Sequence, residues 1–386
     1  MEFGSDPEFI HDARNNARVG LSTAIRARRN RAVGPGNNDG TPAVALREVA
    51  IERGIAVVVS LSVLDLAHIA EGRTAADSFA ASVALAQAAE ESGYRRVWYA
   101  EHHNMPSIAS SATSVVIAHV AAHTSTIRLG AGGVMLPNHS PLTVAEQFGT
   151  LATLHPGRID LGLGRAPGSD QNTMRALRRD PSSADTFPQD VLELQAYLAG
   201  ASRVPGVAAV PGAGTNVPLY ILGSSLFGAQ LAAHLGLPYA NASHFAPDSL
   251  GEAVSVYRET FRPSASLAEP YVIAGVNAVV SDSAARAHEL REQGLRRRVV
   301  QMVGRGQTFT PEEVDLIMDS PAGRQIQGMT RFTAVGTPAE ASRYITQFAD
   351  RYGVDEVIVA SGIDDVDERL ASYRLLAQEH LHAAVA

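Results

Sequence analysis

The residues of this chain best suited to chemistry are Glu101, His102 and His103, which follow directly on the apolar run Val97-Trp98-Tyr99-Ala100. A buried strand that ends in ionisable groups is how an α/β barrel builds a catalytic mouth, because the strand is rigid and the loop after it opens to solvent. Successive side chains on a strand face opposite ways. If His102 points into the substrate space, His103 points away and Glu101 supports the wall. A lone histidine in such a place more often caps or fills the rim, but the adjacent pair beside an acid favours chemistry. A metal is the rival reading. Two neighbouring histidines facing opposite ways, with no His-Glu-x-x-His helix and no cysteine in the chain, do not complete a tetrahedral shell, so no metal is expected.

Three further groups stand at the ends of apolar runs. Gly130-Ala131-Gly132-Gly133 lacks side-chain bulk at three of four positions, which lets a planar ligand approach the backbone. The same glycines would serve a β-bulge or a tight barrel corner. They match neither a phosphate-cradling P-loop nor a dinucleotide fingerprint. Arg165 follows Gly162-Leu163-Gly164, and a guanidinium fork there can hold a phosphate. Gly223-Ser224-Ser225 precedes a helical pattern whose free N–H groups could bind the same anion, or whose serines simply cap the helix.

These groups need a scaffold that brings strand ends together. Apolar runs at 56–64, 97–100, 127–134, 159–164, 219–222, 238–243, 271–280 and 356–360 read as strands, separated by helical patterns at 75–92, 110–123, 141–154, 188–198, 226–235, 250–261 and 338–352, with a last helix at 367–383. Eight strands alternating with helices are enough for a parallel sheet to close into a (β/α)8 barrel, with an open doubly wound sheet as the alternative. Residues 283–331 are charged and helical without a clear strand, and read as an insertion between strand seven and the last strand. Residues 55–386 form the expected single domain.

Composition narrows the function classes. The chain has 386 residues, 45% of them hydrophobic, and a net charge of −8 from 32 Lys and Arg against 40 Asp and Glu. A full core can be buried without staples, and there is no chain-wide basic field for nucleic acid. With no cysteine, disulfides, thiolate metal sites and a cysteine nucleophile are excluded, so any redox chemistry needs a bound cofactor. No apolar run is long enough to span a membrane, and a cytoplasmic location is the default expectation. Residues 1–54 differ from the rest: Met1 to Gly40 is polar and turn-rich, with a basic cluster at Arg26-Ala27-Arg28-Arg29-Asn30-Arg31. They read as a flexible leader or a vector-derived extension, with a targeting peptide as the lesser reading.

Taken in order, Ser62-Val63-Leu64-Asp65, Ala100-Glu101-His102-His103-Asn104-Met105-Pro106, Gly132-Gly133-Val134-Met135-Leu136-Pro137-Asn138-His139-Ser140-Pro141 and Gly157 through Gly168 resemble the bacterial luciferase-like flavin-dependent monooxygenase superfamily. Leu222-Gly223-Ser224-Ser225 and Val335-Gly336-Thr337-Pro338 extend the resemblance, which runs from about Val57 to Ala360. It implies a luciferase-like TIM barrel that uses reduced FMN and O2 to oxygenate a small organic substrate, an aldehyde or a specialised metabolite, through a C4a-peroxyflavin. It further implies that His102 assists the flavin–oxygen chemistry with Glu101 beside it, that a cis peptide at Gly132-Gly133 lies beneath the ring, and that Arg165, Gly223, Ser224 and Ser225 surround the phosphate. The luciferase pattern has an acid where this chain has Gly223, so contacts at that turn would fall to the backbone.

Val63, Met135, Leu136 and Phe245, at strand ends or in adjoining loops, are candidate substrate-pocket residues in a cavity that must exclude water. The resemblance also implies a separate NAD(P)H-dependent flavin reductase, a homodimer, and 283–331 lying over the mouth; it does not imply light emission. Two other functions are compatible with these motifs. One is an F420-dependent oxidoreductase, and the other a non-catalytic flavin-binding or scaffold subunit.

Overall fold

Short runs rich in β-branched residues alternate with alanine-rich and leucine-rich stretches, and in the computed structural model each becomes a strand followed by a helix. The structure describes residues 58–166, 170–304 and 307–382. The expected leader at 1–54, and Pro167 and Gly168 of the fourth motif, lie outside them.

The strands are β1 (Ser60–Asp65), β2 (Arg96–Tyr99), β3 (Arg128–Met135), β4 (Ile159–Gly164), β5 (Leu219–Gly223), β6 (Tyr239–Asn241), β7 (Val272–Val280), β8 (Thr333–Gly336) and β9 (Glu356–Ala360). The helices are α1 (Ala75–Glu91), α2 (Thr113–Ala121), α3 (Pro141–Leu154), α4 (Gln171–Ala176), α5 (Phe187–Leu198), α6 (Leu226–Leu235), α7 (Leu250–Thr260), α8 (Ala284–Gly304), α9 (Pro311–Asp319), α10 (Pro321–Met329), α11 (Pro338–Tyr352) and α12 (Val366–His382). Local chemistry marks their ends. Thr74 and Asp77 form a capping box on α1, and Gly353 closes α11 in the left-handed conformation at φ 62°.

All pairings between strands are parallel. β1 to β7 pair in sequence order, β7 pairs with β9 and β9 with β1, which closes an eight-stranded barrel and excludes the open sheet. β8 lies outside the ring and pairs only with the last residues of β7, Asn277 to Val280. This ninth strand corrects the strand count taken from the sequence. Its four residues, Thr-Ala-Val-Gly, are too few to show a period, and it exists because β7 runs on past the barrel and offers it an edge. The segment 283–331 is α8, α9 and α10, which pack on one another through Leu295, Val299, Met318 and Ile326.

Two cores result. One lies between strands and helices, where Val63, Val97, Tyr99, Val134 and Val357 meet the helices' apolar stripes. The other fills the barrel with Leu64, Trp98, Ala100, Tyr220, Ala240, Ile273, Ile358 and Ala360. Below this inner plug, at the strands' N-terminal ends, sits a charge cluster that no local sequence pattern announces. Arg96 of β2 donates to Asp160 of β4 at 2.7 Å, to the Tyr220 hydroxyl at 2.7 Å and to Glu356 of β9 at 3.1 Å. Ser62 and Tyr271 donate to Glu356 at 2.5 and 2.6 Å, Trp98 donates to Asp160 at 3.2 Å, and Arg128 also bonds Asp160.

Arg96, Asp160 and Glu356 are all fully buried. Burial alone would raise the Asp160 pKa, but Arg96 and Arg128 outweigh it and hold the carboxyl below its ordinary range. Burial disfavours the Arg96 charge too, and Glu356 and Asp160 reverse that, leaving its pKa well above the usual value.

Removing one partner of such a cluster strands the others. Arg96→Met is expected to lower stability by about 3–5 kcal/mol, read from urea unfolding. A neutral or stabilising result would show that the carboxylates tolerate its loss. Because the Asp160 pKa is depressed in the folded state, the unfolded chain takes up the proton first. The stability Asp160 contributes is full above about pH 4 and drains away as pH falls further. In urea titrations across that range, Asp160→Asn should flatten the acid limb.

Candidate active site

The floor cluster sets the phase of β2. With Arg96, Trp98 and Ala100 facing inward, and Val97 and Tyr99 packed outward on the helices, the two-residue period carries His102 inward and Glu101 outward. The His102 Nδ1 is buried with no hydrogen-bond partner among the described residues. Burial lowers the pKa of this ring, against the opposing pull of the Ala100 backbone and Glu101, so near pH 7 it is a neutral imidazole with an unused nitrogen.

Glu101 is 2% exposed and does a different job. One carboxylate oxygen accepts from His103 Nε2 at 2.7 Å and His139 Nε2 at 2.8 Å, and the other accepts from the Met135 amide at 3.1 Å. It thereby ties the loop after β2 to the end of β3. His139 is not among the site residues expected from sequence, since only the fold brings it beside the Glu101 carboxylate. Glu101, His103 and His139 offer potential metal-ligand atoms within 4.8 Å of one another, and direct hydrogen bonds already join them.

A second half-buried histidine with a buried Nδ1, His244, stands just beyond β6. A Cβ on Gly275 would lie 2.3 Å from the His244 Nδ1, so a glycine in β7 is what lets this ring lie against the strand. Burial, helped by the charges of Arg298 and His102, pushes its pKa down to about 3. Its carbonyl accepts from Asn277 Nδ2 at 2.6 Å. The rule that singles out His102, an ionisable group at the end of an apolar run, applies equally to Tyr239-Ala240-Asn241-Ala242-Ser243-His244 and would have found it.

Between these elements the end of β3 is a strip of bare backbone. The Gly132–Gly133 peptide is cis and both residues are half-buried. A Cβ on Gly132 would meet Trp98 Cβ at 2.9 Å and Leu64 Cδ1 at 3.1 Å, and one on Gly133 would meet the Gly162 carbonyl at 2.7 Å. The strip is pressed onto Trp98 and β4 below and presents no side chain above.

Arg165, after β4, meets the start of α6. Its guanidinium carbon sits 4.3 Å from the centroid of Phe227 in the first turn of α6, and its Nε donates to the Ala184 carbonyl at 3.2 Å. Ser225 is the N-cap of α6 in extended geometry and its side chain makes no capping bond, while the Ser224 carbonyl accepts from Ser249. Gly223 allows close packing, with its Cβ position 3.5 Å from Gly228 Cα. The structure therefore places an arginine fork beside a helix N-terminus whose first amides no serine side chain caps.

The pocket candidates separate. Met135 follows the outward Val134 and is half-buried at the mouth, and Phe245 is 39% exposed with its ring edge-on to His244. Val63 and Leu136 are corrections: both are fully buried in the core between sheet and helices and do not face the barrel interior. For Val63 the error is one of phase. Ser62 and Leu64 take the inward positions of β1, and a one-residue slip exchanges the faces. Leu136 begins a 3-10 turn whose residues are buried, and its side chain joins the outer core.

Comparison with known proteins agrees with this geometry. Residues 59–356 match the family model described as luciferase-like monooxygenase. A protein of Escherichia coli strain K12 described as a luciferase-like monooxygenase is 48% identical over 322 residues, covering 82% of this chain and 96% of that protein. The crystal structure of apo-MsnO8 superposes with a TM-score of 0.75 at 37% identity, covering 83% of this chain and 98% of the other. The oxygenating constituent of 3,6-diketocamphane monooxygenase from Pseudomonas putida, in complex with FMN, shares the fold with a TM-score of 0.65 at 16% identity, covering 84% and 98% of the two chains. A barrel whose mouth gathers a half-buried neutral histidine, a bare glycine strip and an arginine at a helix start, matched along most of its length, belongs to the luciferase-like monooxygenase family and is one of its enzymes.

Proposed function

We propose that this enzyme binds reduced FMN at the barrel mouth and uses it with O2 to oxygenate a small organic substrate. The observation that carries the reading is the gathering at one end of the barrel of the Gly132-Gly133 strip, His102, and Arg165 beside the start of α6. The residues fit the cofactor chemically. A flat, half-exposed backbone surface suits an aromatic ring system, and a guanidinium with free helix N–H groups suits a phosphate. When bound, reduced FMN supplies the electrons that activate O2.

The protein's own contributions follow from the geometry. Gly132 and Gly133 admit the ring, with Trp98 holding the strip from below. Arg165, Ser224, Ser225 and the backbone at Gly223 anchor the phosphate, which fixes the ring's position along the mouth. His102 presents its unpaired Nδ1 as a proton acceptor or hydrogen-bonding group at the reacting edge. Glu101 acts at one remove, by fixing the β2 and β3 loops through His103, His139 and the Met135 amide. Met135, Phe245 and the inward Leu64 and Leu66 supply apolar surface that limits water.

As the family resemblance implies, a separate NAD(P)H-dependent reductase would deliver the reduced flavin. No helix among the described residues is long and apolar enough to cross a membrane. A cytoplasmic homodimer is the working arrangement.

The direct test is anaerobic titration with reduced FMN followed by mixing with O2 and a substrate panel. Binding and oxygenated product are expected. Tight binding of reduced F420 without comparable affinity for reduced FMN would overturn the reading in favour of hydride transfer, and binding without turnover across the panel would favour a scaffold subunit. Arg165→Ala should weaken FMN binding by about tenfold or more and leave riboflavin, which lacks the phosphate, unchanged. Equal affinity for FMN in the variant would remove the arginine from the phosphate site. His102→Ala should slow oxygenation by about a hundredfold with FMN affinity kept. Since the folded-state pKa of His102 is lowered, the acid limb that this residue gives to the wild-type rate profile should fall below about pH 6.5 and vanish in the variant.

A further inference from the structure

α8 carries three arginines in a row, and they are not treated alike. Arg296 reaches Asp315 at 2.5 Å and Arg297 reaches Asp364 at 2.5 Å. Arg298 has no carboxylate or hydrogen-bond partner among the described residues, and its Nε is buried. Burial lowers its pKa with no opposing group. A half-buried guanidinium whose Nε is cut off from solvent, with no counter-charge beside it, is unfavourable for folding, so such a group is either a defect or half of an interaction completed by something that binds.

Its surroundings favour the second. Arg298 lines a cavity of about 60 Å³, enough for a small polar group, together with Asn277, Arg291, Thr330, Thr333 and Gly362. The rest of the wall is apolar, with Val279, Leu290 and Leu295, and no carboxylate lines it. The Asn277 amide and the Thr330 and Thr333 hydroxyls donate to backbone carbonyls, so Arg298 and Arg291 are the side-chain donors left to this space. Asn277 occupies the inward phase of β7 two residues beyond Gly275, against which His244 rests, and it bonds the His244 carbonyl. The cavity therefore adjoins the mouth on the β7 side, two strands round the ring from β5, after which the expected phosphate site lies.

We propose that Arg298, with Arg291 beside it and the apolar wall of Val279, Leu290 and Leu295 around them, forms an anion pocket that holds a carboxylate of the organic substrate. The substrate class is thus a small carboxylic acid whose apolar part extends over the mouth toward His102. A planar guanidinium fork matches a carboxylate in two parallel hydrogen bonds, and in a site largely withdrawn from water that match discriminates strongly against a neutral analogue. The proposal rests on the reading that the substrate binds at this mouth.

The test uses the flavin-free chain, so it is independent of how the flavin reading fares. Hexanoate and hexanamide serve as probes in calorimetric titrations of wild type, Arg298→Met, Arg298→Lys and Arg165→Ala. Wild type is expected to prefer hexanoate by about tenfold or more. Arg298→Met should lose the preference, Arg298→Lys should keep part of it, and Arg165→Ala should keep all of it. Without ligand, Arg298→Met should melt at or above the wild-type temperature, because it removes an uncompensated charge. No preference in wild type, or a preference that survives Arg298→Met, would overturn the proposal. So would a clear fall in melting temperature or failure of that variant to fold, since either would mean that the arginine has a structural partner. Weakened binding of reduced FMN in Arg298→Met with hexanoate binding unchanged would overturn it as well, by giving the charge to the flavin.

Discussion

Everything at the mouth of this barrel depends on an arginine locked inside its floor. Arg96 enters from β2 and is gripped by carboxylates from β4 and β9, which stand on either side of it around the ring. In a low-dielectric interior that pairing tolerates no slip, because turning β2 by one residue would withdraw the cation and leave Asp160 and Glu356 buried without it. The strand's period of two then does the rest. Trp98 must face inward above Arg96, Ala100 above Trp98 and His102 above Ala100, while Glu101 is turned to the outer side to hold two loops in place.

Floor and mouth are opposite in electrostatic character. At the floor each charge is compensated and each carboxylate oxygen has a donor. At the mouth the compensation stops: His102 keeps a buried nitrogen without a partner, His244 is held neutral far below its ordinary pKa, and Arg298 stands without a carboxylate among the described residues. Groups left unsatisfied cost stability, and these three stand where a ligand would complete them. The inner plug of Trp98, Tyr220, Leu64 and Ile273 separates the two regimes and keeps water at the mouth from reaching the floor.

Much of this is legible in the chain's residue pattern. The strand-by-helix alternation announces a closed barrel because each β-branched run is followed by a helical pattern of the right length, and the one missed strand, Thr333–Gly336, is short and owes its existence to an overhanging neighbour. Inward His102 is readable from the two-residue period once β2 is located, and the Arg165 and Ser224-Ser225 pair from their places after neighbouring strands. Val63 and Leu136 are misplaced by such a reading because apolar residues occupy both faces of a barrel strand, so hydrophobicity carries no information about which face is which.

Local patterns of residue type are enough for the element order, the closure count, the absence of cysteine chemistry and the run of ionisable residues at one strand end. Which of those residues meet depends on the closed barrel. His139 joins Glu101 across 38 positions, Phe227 receives Arg165 across 62, and His244 comes to lie near His102 across 142, and no local pattern encodes such distances. Pairing at that range is set by register around the ring, and the register is set by how buried charges and side-chain volumes fit together once the sheet has closed.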